Sequence, residues 1–178
     1  MSFVARTAGA NLPPMDCRVR RADVTDVDSL EPLWVSMVDH HREVAGDDWP
    51  VRASGEAWSI RRQEYLTWLG DGSGTLFLAT ADRAAEPVGY AMLRVQPPGA
   101  TWDLGAEMGE VESLAVAEAV RGAGVGTALL AACRDDLIDR GIAFWSVAVV
   151  EVNRAAVRLY EREGFHPYYR LMLGRVHR

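Results

Sequence analysis

Residues Arg121-Gly122-Ala123-Gly124-Val125-Gly126-Thr127 put three glycines between a strand-like run and a helix-like run. The strand side is Glu110-Val111-Glu112-Ser113-Leu114-Ala115-Val116, and a helical apolar pattern starts near Val125. Glycines this dense mean that the backbone passes close to something or adopts torsions that a β-carbon forbids. At a helix start several amide N–H groups also lack an intrahelical acceptor and sit at the positive end of the helix dipole, which suits a phosphate. The segment therefore reads as a strand–loop–helix unit that holds a phosphate-bearing cofactor. A glycine-rich turn with no ligand is the alternative for the hexapeptide alone.

Spacing separates the cofactor classes. A mononucleotide loop of the G-x-x-x-x-G-K-S/T type needs a lysine, and none follows Gly126. A dinucleotide fingerprint, G-x-G-x-x-G, follows its strand directly, whereas here the glycines fall at 122, 124 and 126 and Ala117–Val120 intervene. A third pattern, Q/R-x-x-G-x-G/A, is matched without gaps by Arg121 to Gly126. With it the chain resembles the GNAT superfamily of acyl-CoA-dependent N-acyltransferases, in which this loop holds the coenzyme A pyrophosphate. A second segment, Asn153-Arg154-Ala155-Ala156-Val157-Arg158-Leu159-Tyr160-Glu161-Arg162-Glu163-Gly164-Phe165, is similar to the family's N-x-x-A-x-x-L-Y-x-x-x-G-F run. Its local physics agrees: Asn153 is a good N-cap, Ala156 and Leu159 share a helical face, and Gly164 suits a C-terminal stop. The two segments occur in the family's order, and the resemblance covers about residues 75–173.

Charge and cysteine content narrow the partners. A net charge of -6 without a basic stripe argues against nucleic-acid binding. Two cysteines, Cys17 and Cys133, are too few for a disulfide scaffold and lack metal-ligand spacing, so no metal is expected. Cys133 sits beside Leu129 and Ala132 and reads as a small buried hydrophobe. No secretory leader or membrane-spanning run is evident, and the cytoplasm is the expected location.

Periodicity organises the rest as a disordered tail over residues 1–15 and a single domain over 16–178. A strand over Cys17–Arg21 precedes a helix capped by Asp23 or Thr25 that ends near Ala45-Gly46, and a second helix runs from Glu56 to Leu69. Strands are expected at 75–81, 88–96 and 110–116, then a helix over 125–140 and a buried apolar strand over 144–150. A helix over 153–163 and a last strand over 168–173 close the chain. The pattern predicts an α/β fold: a mixed sheet, mostly antiparallel and then parallel and splayed, flanked by about four helices. Within the third strand Val111, Leu114 and Val116 break strict alternation, which predicts a bulge near Ser113.

The resemblance implies transfer of an acetyl group from acetyl-CoA to the primary amine of a small molecule or peptide, by direct attack in a ternary complex. It places the pyrophosphate on Gly122, Ala123, Gly124, Val125, Gly126 and Thr127, with charge from Arg121. The pantetheine arm then lies along Leu114, Ala115 and Val116, and Asn153 touches the cofactor. Tyr160 matches the family's general acid; a phenol near pKa ~10 and a thiol near ~8.5 lie close enough for transfer. An amine is about one part in a thousand neutral at pH 7, so a proton acceptor is needed. Glu110 and Glu112 are the candidates, with Glu151 or ordered water behind them. His40, His41 and Glu43, with Trp34, Trp49, Trp58 and Trp68, lie on the helices where relatives admit the acceptor. The tryptophans also suit a core, and a homodimer is a family expectation. A non-catalytic acyl-CoA sensor keeps the glycine loop without needing Tyr160, and a nucleotide-dependent enzyme is a third reading.

Overall fold

The computed structural model describes residues 16–46, 49–81 and 86–176. The tail expected over 1–15 lies outside them. Strands β1 (Cys17–Ala22), β2 (Gly74–Ala81), β3 (Pro87–Gln96) and β4 (Met108–Val116) pair antiparallel in chain order. Strand β5 (Trp145–Val147) joins β4 in parallel, which completes the sheet order β1-β2-β3-β4-β5. Helices α1 (Glu31–Ala45), α2 (Ser54–Gly70), α3 (Val125–Asp139) and α4 (Arg154–Arg162) flank it. This is the mixed, four-helix architecture expected.

Both faces of the central strands are covered, so β2 reads as a continuous apolar run. Leu76 and Leu78 pack with Leu33, Trp34 and Val38 of α1 and with Trp58 and Tyr65 of α2. Phe77 and Ala79 face the other way, onto Val125, Leu129, Cys133 and Leu137, the buried stripe of α3. Cys133 is buried as expected, and burial pushes its thiol up to about 12. Strand and helix approach closely at Gly109, where a β-carbon would stand 2.7 Å from Leu137 Cδ1.

Three expected elements differ. The first helix is split: a 3-10 turn, Val24–Leu30, capped by Asp23, precedes α1, which has a proline in its first two positions. Pro32 has no N–H to continue an α ladder across that point. The buried strand over 144–150 shrinks to Trp145–Val147, with Phe144, Val149 and Val150 exposed. The last strand over 168–173 does not form, and Leu171 and Met172 are 87% and 84% exposed. Strand propensity reports a fit to neighbours, and among the described residues neither 148–150 nor 168–173 has a ladder partner.

Candidate active site

Two interruptions of the sheet build the site. In the β3–β4 ladder Met92 faces Ser113 and Leu93 faces Val111, so Glu112 is the extra residue of a bulge. This is the irregularity that the spacing of Val111, Leu114 and Val116 predicts. On the other edge of β4, pairing with β5 stops at Val111–Val147. Beyond it β5 ends, and among the described residues Glu112–Val116 have no strand partner on that side.

The start of α3 follows this edge in the chain. Gly122 and Gly124 have φ of 84° and 91°, in the left-handed region that a glycine enters without strain. Gly124 is the N-cap and no side chain caps the helix. The Ala128 amide donates to the Gly124 carbonyl at 3.0 Å, so the amides of Val125, Gly126 and Thr127 precede the first intrahelical bond. Gly126 serves packing instead: a β-carbon there would stand 3.1 Å from Leu159 Cδ2 of α4. Ala123 is buried, and Arg121 Nε donates to the Val116 carbonyl at 3.2 Å, tying the loop to the end of β4. Leu114, Ala115 and Val116 lie along the unpaired edge. An uncapped helix start with left-handed glycines fits a diphosphate, and the unpaired edge fits an extended pantetheine arm.

Helix α4 supplies the other wall. Asn153 Oδ1 accepts from the Ala156 amide at 3.2 Å, and Gly164 closes the helix at φ 91°. Tyr160 is buried against Val111 and Leu130, with Phe165 at 5.7 Å between ring centroids. Burial pushes its phenol up to about 12. The phenol is therefore protonated at neutral pH.

The two carboxylates occupy the α2 side of β4. Gln96 Nε2 donates to Glu110 Oε2 at 2.6 Å. Burial holds the Glu110 carboxyl above the usual range, Glu112 adds to this, and Arg94, Gln96 and Arg61 oppose it. Glu112 is ion-paired with Arg61, which also lies 3.2 Å from Glu64. Behind the bulge, Tyr65 donates to Ser113 Oγ at 2.7 Å and its hydroxyl lies 3.2 Å from that of Tyr90. Burial pushes Tyr65 up to about 12, and burial with the neighbouring Tyr65 raises Tyr90 well above the usual phenol value.

Of the other candidates, Trp34 and Trp68 lie against Arg61 at 5.0 and 5.4 Å, whereas the rest make no bond to this group. Glu151 is exposed, 3.8 Å from Arg170. His40 Nδ1 is 3.8 Å from Glu43, and burial with the adjacent His40 lowers the His41 pKa. Trp34 and Trp58 are core residues, whereas Trp49 lines a cleft of about 600 Å³ with Arg42, Val51, Leu173 and Arg175. Composition and motif reading passes over Arg61, Tyr65, Arg94 and Gln96. The i, i+4, i+7 spacing of Arg61, Tyr65 and Trp68 is the signal that points to the first two. No helix among the described residues is long and apolar enough to cross a membrane.

The chain is similar to known proteins. Residues 34–165 match the Acetyltransferase (GNAT) family. A mycothiol acetyltransferase of Thermobispora bispora is 36% identical over 118 residues, covering 66% of this chain and 38% of that protein. One from a Nocardioides species is 28% identical over 152 residues, covering 83% and 48%. The chain thus spans less than half the length of these relatives. A GCN5-related N-acetyltransferase from Ralstonia eutropha superposes with a TM-score of 0.70 at 22% identity, covering 89% of this chain and 98% of that one. An aminoglycoside N-acetyltransferase in complex with CoA gives 0.66 at 17%, covering 90% and 95%. With the matched segment spanning both motif-bearing loops and most of the sheet, the chain belongs to the GNAT acetyltransferase family.

Proposed function

We propose that the protein transfers an acetyl group from acetyl-CoA to a primary amine of a small molecule or peptide, by direct attack in a ternary complex. The observation that carries this reading is the coincidence of three features. An uncapped α3 start, an unpaired β4 edge and a protonated, buried Tyr160 lie together, with Tyr160 packed on Val111 of β4 and Leu130 of α3. The similar mycothiol acetyltransferases and the CoA-bound aminoglycoside enzyme support acetyl transfer as a class. They do not carry their acceptors over, given the part of the relatives that is spanned and the low structural identity.

The amides of Val125, Gly126 and Thr127, with the Gly122–Gly124 loop and Arg121, hold the diphosphate of the coenzyme. Leu114, Ala115 and Val116 guide the pantetheine arm, and Asn153 contacts it while capping α4. Bound acetyl-CoA supplies an activated acyl carbon. Glu110 takes a proton from the acceptor ammonium through Oε1, since Gln96 occupies Oε2, and this frees the amine lone pair to attack the acyl carbon. An unpaired β4 amide facing the acyl oxygen contributes about 3 kcal/mol to the barrier lowering. Tyr160 gives its proton to the leaving sulfur.

Phenol and thiolate stay matched only if both are desolvated, and burial, with Asp136 adding to it, carries the Cys133 thiol of this protein to about 12. The exposed apolar run Tyr168–Leu173 supports pairing with a second copy, which sedimentation analysis tests. The test of the reading is an amine panel followed by free CoA release. Acyl transfer to at least one amine is expected, and acyl-CoA binding without turnover on any member favours the sensor reading instead.

A further inference from the structure

We propose that Arg61 is a positioning residue that takes Glu112 out of the reaction, leaving Glu110 as the single free carboxylate of the acceptor face and favouring acceptors with one ammonium group over polycations. This rests on the acetyltransferase reading and deepens it.

Two residues apart in the strand, Glu110 and Glu112 lie on the same side of the sheet, towards α2. Left alone, two neighbouring carboxylates repel, share protons and attract multiply charged amines. Arg61 changes that arithmetic. Its guanidinium bonds Glu112 through one nitrogen and lies 3.2 Å from Glu64 through Nε. Three rings hold it in place: Trp34 at 5.0 Å, Trp68 at 5.4 Å and Tyr65 at 5.8 Å from its central carbon. The Arg61 and Glu112 side chains are 22% and 19% exposed, so the pair is shielded from competing water. A planar fork clamped by aromatic faces gives up little further entropy in holding a carboxylate.

Glu110 is treated differently. Arg94 is its cross-strand neighbour, but the Arg94 guanidinium stacks on Trp68 at 4.3 Å and is not hydrogen-bonded to Glu110. Gln96 occupies one Glu110 oxygen, and among the described residues no side chain bonds the other. The charges facing Glu110 are therefore Glu112 on its own strand, Arg94 on β3, and Arg61 on α2. With Arg61 shared by Glu112 and Glu64 and Arg94 beside Glu110, two guanidiniums stand against three carboxylates, and one net negative charge remains to meet one ammonium.

The test compares wild type with Arg61→Ala and Arg61→Lys. The substrates are the best monoamine from the panel and the same amine with a second amino group. In Arg61→Ala, Glu112 becomes an uncompensated anion beside Glu110. The acid limb of kcat/KM then moves up by ~0.5 pH unit or more, and preference shifts towards the diamine by about tenfold, chiefly in KM. Arg61→Lys returns both towards wild type. If Arg61→Ala does not fold, Glu112→Gln serves. It leaves Arg61 less compensated, so the limb moves down instead, the opposite sign.

A folded Arg61→Ala with an unchanged limb and unchanged amine preference overturns the inference, as does an upward or absent shift in Glu112→Gln. Failure of the underlying reading looks different: wild type then releases no CoA with any amine.

Discussion

Replacing Tyr160 with Phe removes one oxygen and leaves the ring. The ring packs against Val111, Leu130 and Phe165, and no described side chain hydrogen-bonds its hydroxyl. No partner is orphaned, so the stability change should stay within ~0.5 kcal/mol. Turnover should not be spared. A phenol at about 12 is a weak acid, and against a solvated thiol near ~8.5 the transfer would run uphill by roughly 5 kcal/mol. In the same apolar surroundings the thiolate also becomes more basic, and the match is restored. General acid catalysis then contributes about 10²-fold, which Tyr160→Phe should remove from kcat. Acetyl-CoA affinity should barely change.

The control is Tyr65→Phe, also buried but with its hydroxyl bonded to Ser113 and Tyr90. It strands both partners and should cost about 2 kcal/mol, or roughly 4–8 °C in Tm. CoA release at saturating amine, acetyl-CoA titration and calorimetric melting separate the two variants. A Tyr160→Phe protein that turns over at the wild-type rate would refute the acid role.

Other residues give equally direct outcomes. Glu110→Gln should lower kcat/KM by about 10²-fold yet raise Tm at pH 7. The fold raises the Glu110 pKa, so its stabilising contribution is complete below the unfolded value and is lost as pH rises through the folded one. The neutral amide avoids that loss, and the Tm gain should vanish below about pH 4. Gly126→Ala brings a β-carbon to 3.1 Å from Leu159 Cδ2 and should destabilise by about 1 kcal/mol, read by denaturant unfolding.

Local chemistry made half of this site legible in the sequence. Gly122 and Gly124 announce a left-handed turn because only glycine adopts it without strain, and Asn153 announces its helix because its side chain caps it. The break in alternation at Ser113 marks the bulge because strand faces repeat every second residue. What was not legible depends on distant partners. Arg61 meets Glu112 only because α2 packs across β4, and no periodicity within either element encodes that pairing. The apolar runs 144–150 and 168–173 look like strands, but a strand also needs a neighbouring edge, which propensity does not report. Pro32 was visible, yet its effect on the first helix was masked by an apolar pattern that continues through it.

The central claim is that backbone amides at the α3 start bind the coenzyme's diphosphate. Calorimetric titration of CoA against pantetheine, which lacks that group, tests it most directly. Two charge-assisted hydrogen bonds to the diphosphate predict CoA binding tighter by about 10²-fold, near 2.7 kcal/mol. Equal affinity for the two ligands, or no affinity for CoA, would contradict the account.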